Sequence, residues 1–302
     1  MNDSKNFEVI IVGGSFAGLS AAMALGRSLR KVLIIDSGLP CNRQTPHSHN
    51  FISQDGEEPG TIAEKAIAQV LKYDTIQFLQ DTALSGAKTE KGFIITTESG
   101  KEFLTKKLIF ATGIKDIMPD IKGFPDCWGI SVVHCPYCHG YELRNKKTGI
   151  LANGERAFHL VSLVHNLTKD LSVLTSGKAD FENHQLEKFK KHNIEIIEAE
   201  VQEIVHSNGH IGNLIFENGE EIAFEGIYAA LPFEQHSFLP SSLGCEITEL
   251  GYIKVDDFQR TTVEGIFACG DNSTMMRSIA KAVYSGNFTG AIVNSELIQE
   301  KF

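Results

Sequence analysis

Hydrophobic positions along this chain fall into three patterns, each predicting a different element. Short runs that are apolar at nearly every position predict strands buried on both faces, as in a parallel sheet. Glu8–Val12, Lys31–Ile35, the start of the segment KKLIFATGIKDIMP (106–119) and Leu171–Leu174 have this character. Stretches of small and apolar residues behind glycine turns predict packed helices, after Gly13–Gly18 and again after Gly270. Mixed runs at Ile194–Val205, Gly212–Gly226 and Ile227–Gln235 predict further strands, with an Asn218-Gly219 hairpin signal inside the second. Val9–Gly26 is free of charge over 18 residues, close to a membrane-spanning length. Four glycines, with Ser15 and Ser20, break it into strand, turn and buried helix instead.

The first strand, turn, helix and strand carry a dinucleotide fingerprint, Gly13-Gly14-Ser15-Phe16-Ala17-Gly18, with Asp36 ending the second strand. Gly13 makes the tight turn and Gly18 lets the helix approach the strand. The helix N-terminus offers N–H groups and partial positive charge to a pyrophosphate, and Asp36 accepts ribose hydroxyls. Ser15 stands where a glycine usually lets backbone approach the phosphates. A second, degraded fingerprint occupies Ala152-Asn153-Gly154-Glu155-Arg156-Ala157. Ala152 takes its tight-turn position, and TSGKADF (175–181) offers Lys178 alone where arginines would grip a 2′-phosphate. A nicotinamide-domain fold is expected here, with NADPH binding left open.

Composition narrows the partners. Net charge is −10, from 28 basic and 38 acidic residues, with no basic stripe. Nucleic acid and an anionic membrane are therefore not expected partners. Six cysteines, at 41, 127, 135, 138, 245 and 269, include one closely spaced pair and do not form a disulfide scaffold. The N-terminal stretch lacks the pattern of a secretory signal, so a cytoplasmic location is expected.

The pair lies in HCPYCHGYE (134–142). Cys135-Pro136-Tyr137-Cys138-His139 matches a haem attachment site, half a zinc knuckle, or a redox disulfide. Haem attachment requires export, and a structural zinc site requires two further ligands that no second CxxC or HxxxH supplies. No metal is expected. Pro136 suits the first helical position, which makes Cys135 the N-cap and sets both sulfurs at the positive end of a short helix. A thiol there is favoured as thiolate, and His139 is placed to take and return a thiol proton.

GGSFAGLSAA, DSGLPCNR, HSHNFISQDG, FATG, HCPYCHGYE and FACGD, in this order, resemble the small thioredoxin-reductase-like members of the pyridine-nucleotide-disulfide reductases. That group includes the dithiol oxidases of gliotoxin and holomycin biosynthesis. The resemblance implies an α/β protein with two Rossmann-like three-layer domains, the second inserted in the first. Residues 1–115 and 237–302 would form the FAD-binding domain, and 116–236 an NAD(P)H-domain-like insert carrying the CxxC. Non-covalent FAD would lie near Gly13, Gly14, Ser15, Ala17, Gly18, Asp36, Ser37, Asn42, Arg43, His49, Asp55, Ala111, Thr112, Gly113, Gly270, Asp271, Arg277, Ser278 and Ile279. Ser278 replaces the family's glutamine. Cys135 corresponds to the cysteine that joins substrate, Cys138 to the one facing the flavin, and His139 replaces the aspartate of ordinary thioredoxin reductases.

Three functions follow: a dithiol oxidase passing electrons through FAD to oxygen, an NADPH-dependent disulfide reductase, and a flavin redox sensor. The first is favoured by His139 and the weak second fingerprint. The substrate would be a dithiol or disulfide, either a small molecule or a thioredoxin-like protein. The family pattern implies a homodimer.

Overall fold

The computed structural model describes residues 5–302. The chain divides into two compact units. The first takes in the chain through Arg43, Gly60–Lys115 and Phe233–Phe302; the second joins Gln44–Pro59 to Asp116–Pro232. The short stretch Gln44–Pro59 thus groups with the later unit, although it precedes most of the first.

The first unit begins with β1 (Asn6–Val12), α1 (Phe16–Arg27), β2 (Val32–Asp36), α2 (Pro59–Val70) and β3 (Ile76–Gln80). It continues through β4 (Ala83–Thr89), β5 (Gly92–Thr97), β6 (Glu102–Phe110) and β7 (Ile114–Asp116). The second unit contains α3 (Phe124–Cys127), β8 (Val132–Val133), α4 (Pro136–His139), β9 (Thr148–Leu151), α5 (Gly154–Val164) and β10 (Leu171–Leu174). It then adds α6 (Asn183–Lys191), β11 (Glu195–Ile197), β12 (Val201–Ser207), β13 (His210–Phe216), β14 (Glu221–Ala223) and β15 (Gly226–Ala229). The chain finishes the first unit with β16 (Phe233–Gln235), α7 (Leu239–Ser242), β17 (Ile266–Ala268) and α8 (Ile279–Gln299).

Seven strands form the sheet of the first unit, in the order β3-β2-β1-β6-β5-β4, with β17 also paired to β6. β1, β2, β3, β6 and β17 run parallel, and β4, β5 and β6 form an antiparallel meander. One edge of β6 is shared, with Thr105 facing Phe93 of β5 and Leu108 facing Ile266 of β17. The continuous apolar character of β1 has a simple cause. Val9 and Ile11 enter the buried cluster beneath α1 and α8, while Ile10 and Val12 enter the cluster on the opposite face with Leu239 and Ile253. Alternating residues face opposite sides of a strand, so a strand covered on both sides must be apolar throughout.

Five parallel strands, in the order β11-β10-β9-β15-β8, form the central sheet of the second unit. It too is covered on both faces: Leu174 and Ile227 lie in one cluster, Val173 and Tyr228 in the other. β12, β13 and β14 make a separate antiparallel sheet. The Asn218-Gly219 turn joins β13 to β14, with Gly219 at φ +80° as a left-handed turn residue requires. The apolar run Ile194–Val205 divides. Its first part joins the parallel sheet as β11 and its second starts the antiparallel sheet as β12. β7 and β16 form a two-stranded ladder.

Candidate active site

A dinucleotide cradle forms in the first unit where three loops meet the start of α1. Gly13 has φ +105°, and a Cβ there would lie 2.2 Å from the Ala111 carbonyl oxygen. A Cβ on Gly18 would lie 1.8 Å from the Gly13 carbonyl oxygen, so α1 begins flush against its turn. Ser15 is the N-cap of α1 but makes no side-chain cap bond, and the first turn contains no acid. The dipole and N–H groups of this helix start are therefore left for an anion. Asp36 ends β2 and accepts hydrogen bonds from the N–H groups of Gly14 (2.7 Å) and Gly38 (3.0 Å), which holds its carboxylate at the turn beside Ser37.

Gly270 is at φ +83° with its Cβ direction 3.0 Å from Ala17 Cβ, so the Gly270-Asp271 loop abuts the same helix start. Arg277 Nε lies 3.7 Å from Asp271 Oδ2, and Ser278 caps α8 by accepting from the Lys281 N–H at 3.1 Å, with Ile279 as the first helical residue. Ala111 donates to the Val12 carbonyl, Thr112 follows, and Gly113 is at φ +66°. Asn42 is half-buried and Arg43 exposed, its guanidinium donating to the Pro40 carbonyl.

Two polar residues of this region went unassigned in the sequence. Asn272 is fully buried and donates to the Phe110 carbonyl (2.9 Å) and Thr112 Oγ1 (3.2 Å), while its Oδ1 has no partner among the described residues. Ser285 Oγ accepts from the Gly270 N–H at 3.1 Å. The position of Asn272 directly after Gly270-Asp271 was the available signal. An uncapped helix start, a carboxylate at the end of β2 and a glycine-acid loop against Ala17 together fit the pyrophosphate and ribose of FAD.

The second unit carries the Cys135–Cys138 pair. α4 starts at Pro136 with Cys135 as N-cap, as the proline predicts, and the Cys138 N–H donates to Cys135 Sγ at 3.2 Å. Cys135 and Cys138 form a disulfide with Cα atoms 5.3 Å apart. Among the described residues no cluster of His, Cys, Asp or Glu is arranged to hold a metal ion. His139 follows directly. Burial pushes its pKa down to about 4, against an opposing pull from Glu142 and with a further push from His49. The imidazole is therefore neutral at pH 7, where the sequence suggests a group titrating near neutrality. His49 and Asp55, expected near the flavin, belong to this unit. His49 Nδ1 lies 3.6 Å from Asp55 Oδ1, and Nε2 lies 3.6 Å from Glu142 Oε1.

The other thiols are of a different kind. Cys127, Cys245 and Cys269 are buried, and burial raises their pKa values, to about 11 for Cys127 and about 12 for Cys269. They stay protonated at neutral pH and act as small packing residues. Cys41 is exposed.

The degraded fingerprint differs from the first at its helix start. Asn153 is the N-cap of α5, and its Oδ1 accepts from the N–H groups of Gly154 and Asp180, both at 2.9 Å. Its amide donates to the Lys178 carbonyl at 2.8 Å. Glu155 stands in the first turn, held by Gln185 Nε2 at 2.8 Å. Glu198 accepts from the Ala179 N–H at 2.7 Å in the loop after β10. The start of α5 is thus capped by its own chain and carries an acid in its first turn, which disfavours a phosphate there.

Comparison with known proteins places the chain in a family. The family described as pyridine nucleotide-disulphide oxidoreductase matches residues 7–286. Thioredoxin reductase tcpT of Claviceps purpurea is 32% identical, over 99% of this chain and 97% of that protein. The crystal structure of the oxidoreductase from Agrobacterium tumefaciens superposes with a TM-score of 0.91 at 32% identity, covering 98% of this chain and all of the other. That of HlmI gives 0.91 at 25% identity, over 98% and 93% of the two chains.

Proposed function

The chain belongs to the pyridine nucleotide-disulphide oxidoreductase family as an FAD-dependent, thioredoxin-reductase-like enzyme, and from that premise we propose that it oxidises dithiols at the expense of oxygen. One observation carries this reading: α1 presents an uncapped, acid-free start to a dinucleotide, whereas α5, where NADPH would bind, is capped by Asn153 and faced by Glu155. An enzyme without a working nicotinamide site takes its electrons from the thiol substrate.

In this reading the residues identified in the sequence carry the site roles. The α1 turn, Asp36 and the Gly270-Asp271 loop would hold FAD, which would supply a two-electron acceptor. A substrate thiol attacks Cys135 Sγ, the Cys135–Cys138 bond breaks, and Cys138 departs as thiolate. His139, neutral in the disulfide state, accepts the proton of the attacking thiol. The second substrate thiol then displaces Cys135, closing the substrate disulfide. Overall two S–H bonds break, one S–S bond forms, and dioxygen takes up two protons and two electrons as hydrogen peroxide. We include in the proposal a homodimer, checked by sedimentation equilibrium, and a cytoplasmic location, checked by cell fractionation. Among the described residues no helix is long and apolar enough to cross a membrane.

The test is anaerobic. Oxidised holoenzyme is mixed with NADPH and, separately, with dithiothreitol, and the flavin absorbance is followed. Bleaching by the dithiol alone, with peroxide formed on admitting air, is expected. Rapid bleaching by micromolar NADPH would instead make this a disulfide reductase, the activity named for its relative from Claviceps purpurea.

A further inference from the structure

Two neighbouring amides in the first unit each hold a buried acceptor oxygen. Asn272 is fully buried, and its Nδ2 donates to the Phe110 carbonyl (2.9 Å) and to Thr112 Oγ1 (3.2 Å). A carbonyl only accepts, so the amide must present its nitrogen there and turn Oδ1 away. Gln235 is oriented by the same logic: its Nε2 donates to the Gly251 carbonyl (2.8 Å) and to the Asn272 carbonyl (3.0 Å). Asn272 Oδ1 and Gln235 Oε1 are both buried and have no hydrogen-bond partner among the described residues. The backbone around them is tied down. The Asn272 carbonyl also accepts from the Ile253 N–H at 2.8 Å, and the Gly270 N–H donates to Ser285 Oγ at 3.1 Å.

A buried acceptor without a donor is costly, and two of them side by side call for a ligand that offers several O–H groups. Phosphates only accept at such a place. FAD has hydroxyls in two parts, the ribose and the ribityl chain, on either side of its pyrophosphate. The sheet order keeps the matching protein groups apart in the same way. Asp36, which fits the ribose, ends β2 on one side of β1. Asn272 is bonded to the last residue of β6, on the other side of β1. The open start of α1, which fits the pyrophosphate, follows β1 between them.

We propose that Asn272, oriented beside Gln235, is a cofactor-binding residue that accepts a hydrogen bond from a ribityl hydroxyl of FAD. The inference rests on FAD binding at the α1 turn with its ribose at Asp36, and not on the oxidase function or the direction of electron flow. Asn272 then has two tasks. Its nitrogen ties the end of β6 and Thr112 to the Gly270-Asp271 loop, and its oxygen reads the polyol of the cofactor. Gln235 holds the Asn272 backbone and adds a second acceptor beside the first. The competing occupant is a buried water donating to both oxygens, which satisfies them without any cofactor hydroxyl.

The test reads binding alone. Holoenzyme is equilibrated with mixtures of FAD and an analogue lacking the 2′, 3′ or 4′ hydroxyl of the ribityl chain. Protein-bound flavin is isolated by gel filtration and the two species are quantified by chromatography, which gives their relative affinity without turnover. In the wild type, at least one analogue should bind about tenfold more weakly than FAD, because the missing hydroxyl leaves a buried acceptor without its donor. In Asn272→Ala the same analogue should bind within about twofold of FAD, the non-additivity expected of two groups in contact. Equal wild-type affinity for FAD and all three analogues would overturn the proposal, and is the result a bridging water gives. A penalty that persists in full in Asn272→Ala would also overturn it, since an amide with a purely structural role weakens FAD and analogue alike. The wild-type arm needs no variant, so it decides the matter even if Asn272→Ala does not fold. Failure of the cofactor site itself reads differently: a wild-type protein that retains no flavin of any kind would overturn FAD binding and this inference with it.

Discussion

Replacing His139 with glutamine should protect the second unit from acid. Burial lowers the pKa of this imidazole from 6.5 to about 4, while in the unfolded chain it titrates near the ordinary value. Between those values the unfolded state binds the extra proton. Stability is therefore complete above about pH 6.5 and falls as the pH drops towards 4. At 1.36 kcal/mol per unit the full loss is about 3 kcal/mol, of which about 2 kcal/mol falls between pH 7 and pH 5. The glutamine variant lacks that titration and should lose about 2 kcal/mol less over the same interval. The chain has one tryptophan, and Trp128 is a buried residue of the same unit, with ring centroids 5.9 Å from both Phe124 and His134. Urea unfolding followed by its fluorescence therefore reports on this unit. Midpoints rather than intensities are compared, because His134 stacks on the indole. Equal losses in the two proteins, within about 0.5 kcal/mol, would refute the claim that His139 is held neutral by burial.

Three further outcomes are expected. Cys138→Ser should leave the flavin band unchanged when dithiol is added anaerobically, and any bleaching would place the electron path elsewhere. In Gly286→Ala the new Cβ would lie 2.0 Å from the Ala17 carbonyl oxygen, forcing α8 off α1 at the FAD cradle. Such overpacking costs about 1–3 kcal/mol, so scanning calorimetry should show a melting point lower by several degrees and flavin fluorescence earlier release; an unchanged melt would refute the close seam. Lys107, buried with Nζ 3.0 Å from Glu296 and 2.7 Å from Glu300, should cost about 1 kcal/mol when changed to methionine, because both carboxylates lose this cation while Glu296 keeps Arg260 Nε at 2.6 Å and Glu300 is half-exposed. In denaturant titrations the double variant Lys107→Met/Glu296→Gln should recover part of that loss, and a strictly additive cost would refute the pairing.

How much of the site could be read in advance depended on the range of the interaction. The first fingerprint was readable because a buried parallel strand must be apolar on both faces and a helix pressed against its turn must carry glycine. The start of α4 was readable because Pro136 restricts the chain at that residue. The run Ile194–Val205 was harder: its hydrophobicity looks alike in β11 and β12, yet the two enter different sheets. Glu142 stood in view four residues after Cys138 and went unassigned, because its partner His49 comes from the segment Gln44–Pro59, which only packing brings into the second unit. At the α5 N-terminus, Ala152 and the missing arginines were legible in the sequence. Its occupation by Asn153 and Glu155 became visible only with side chains in place.

The sequence by itself thus determined the strands of the first nucleotide fold, its glycine turns, the family and the CxxC pair, since each depends on local stereochemistry or on residues adjacent in the chain. The tertiary structure decided which helix start is capped by its own side chains, which cysteines are buried, and the burial that disfavours a protonated His139. Those properties depend on burial and on charges brought together from distant segments, and no local pattern of residues specifies either.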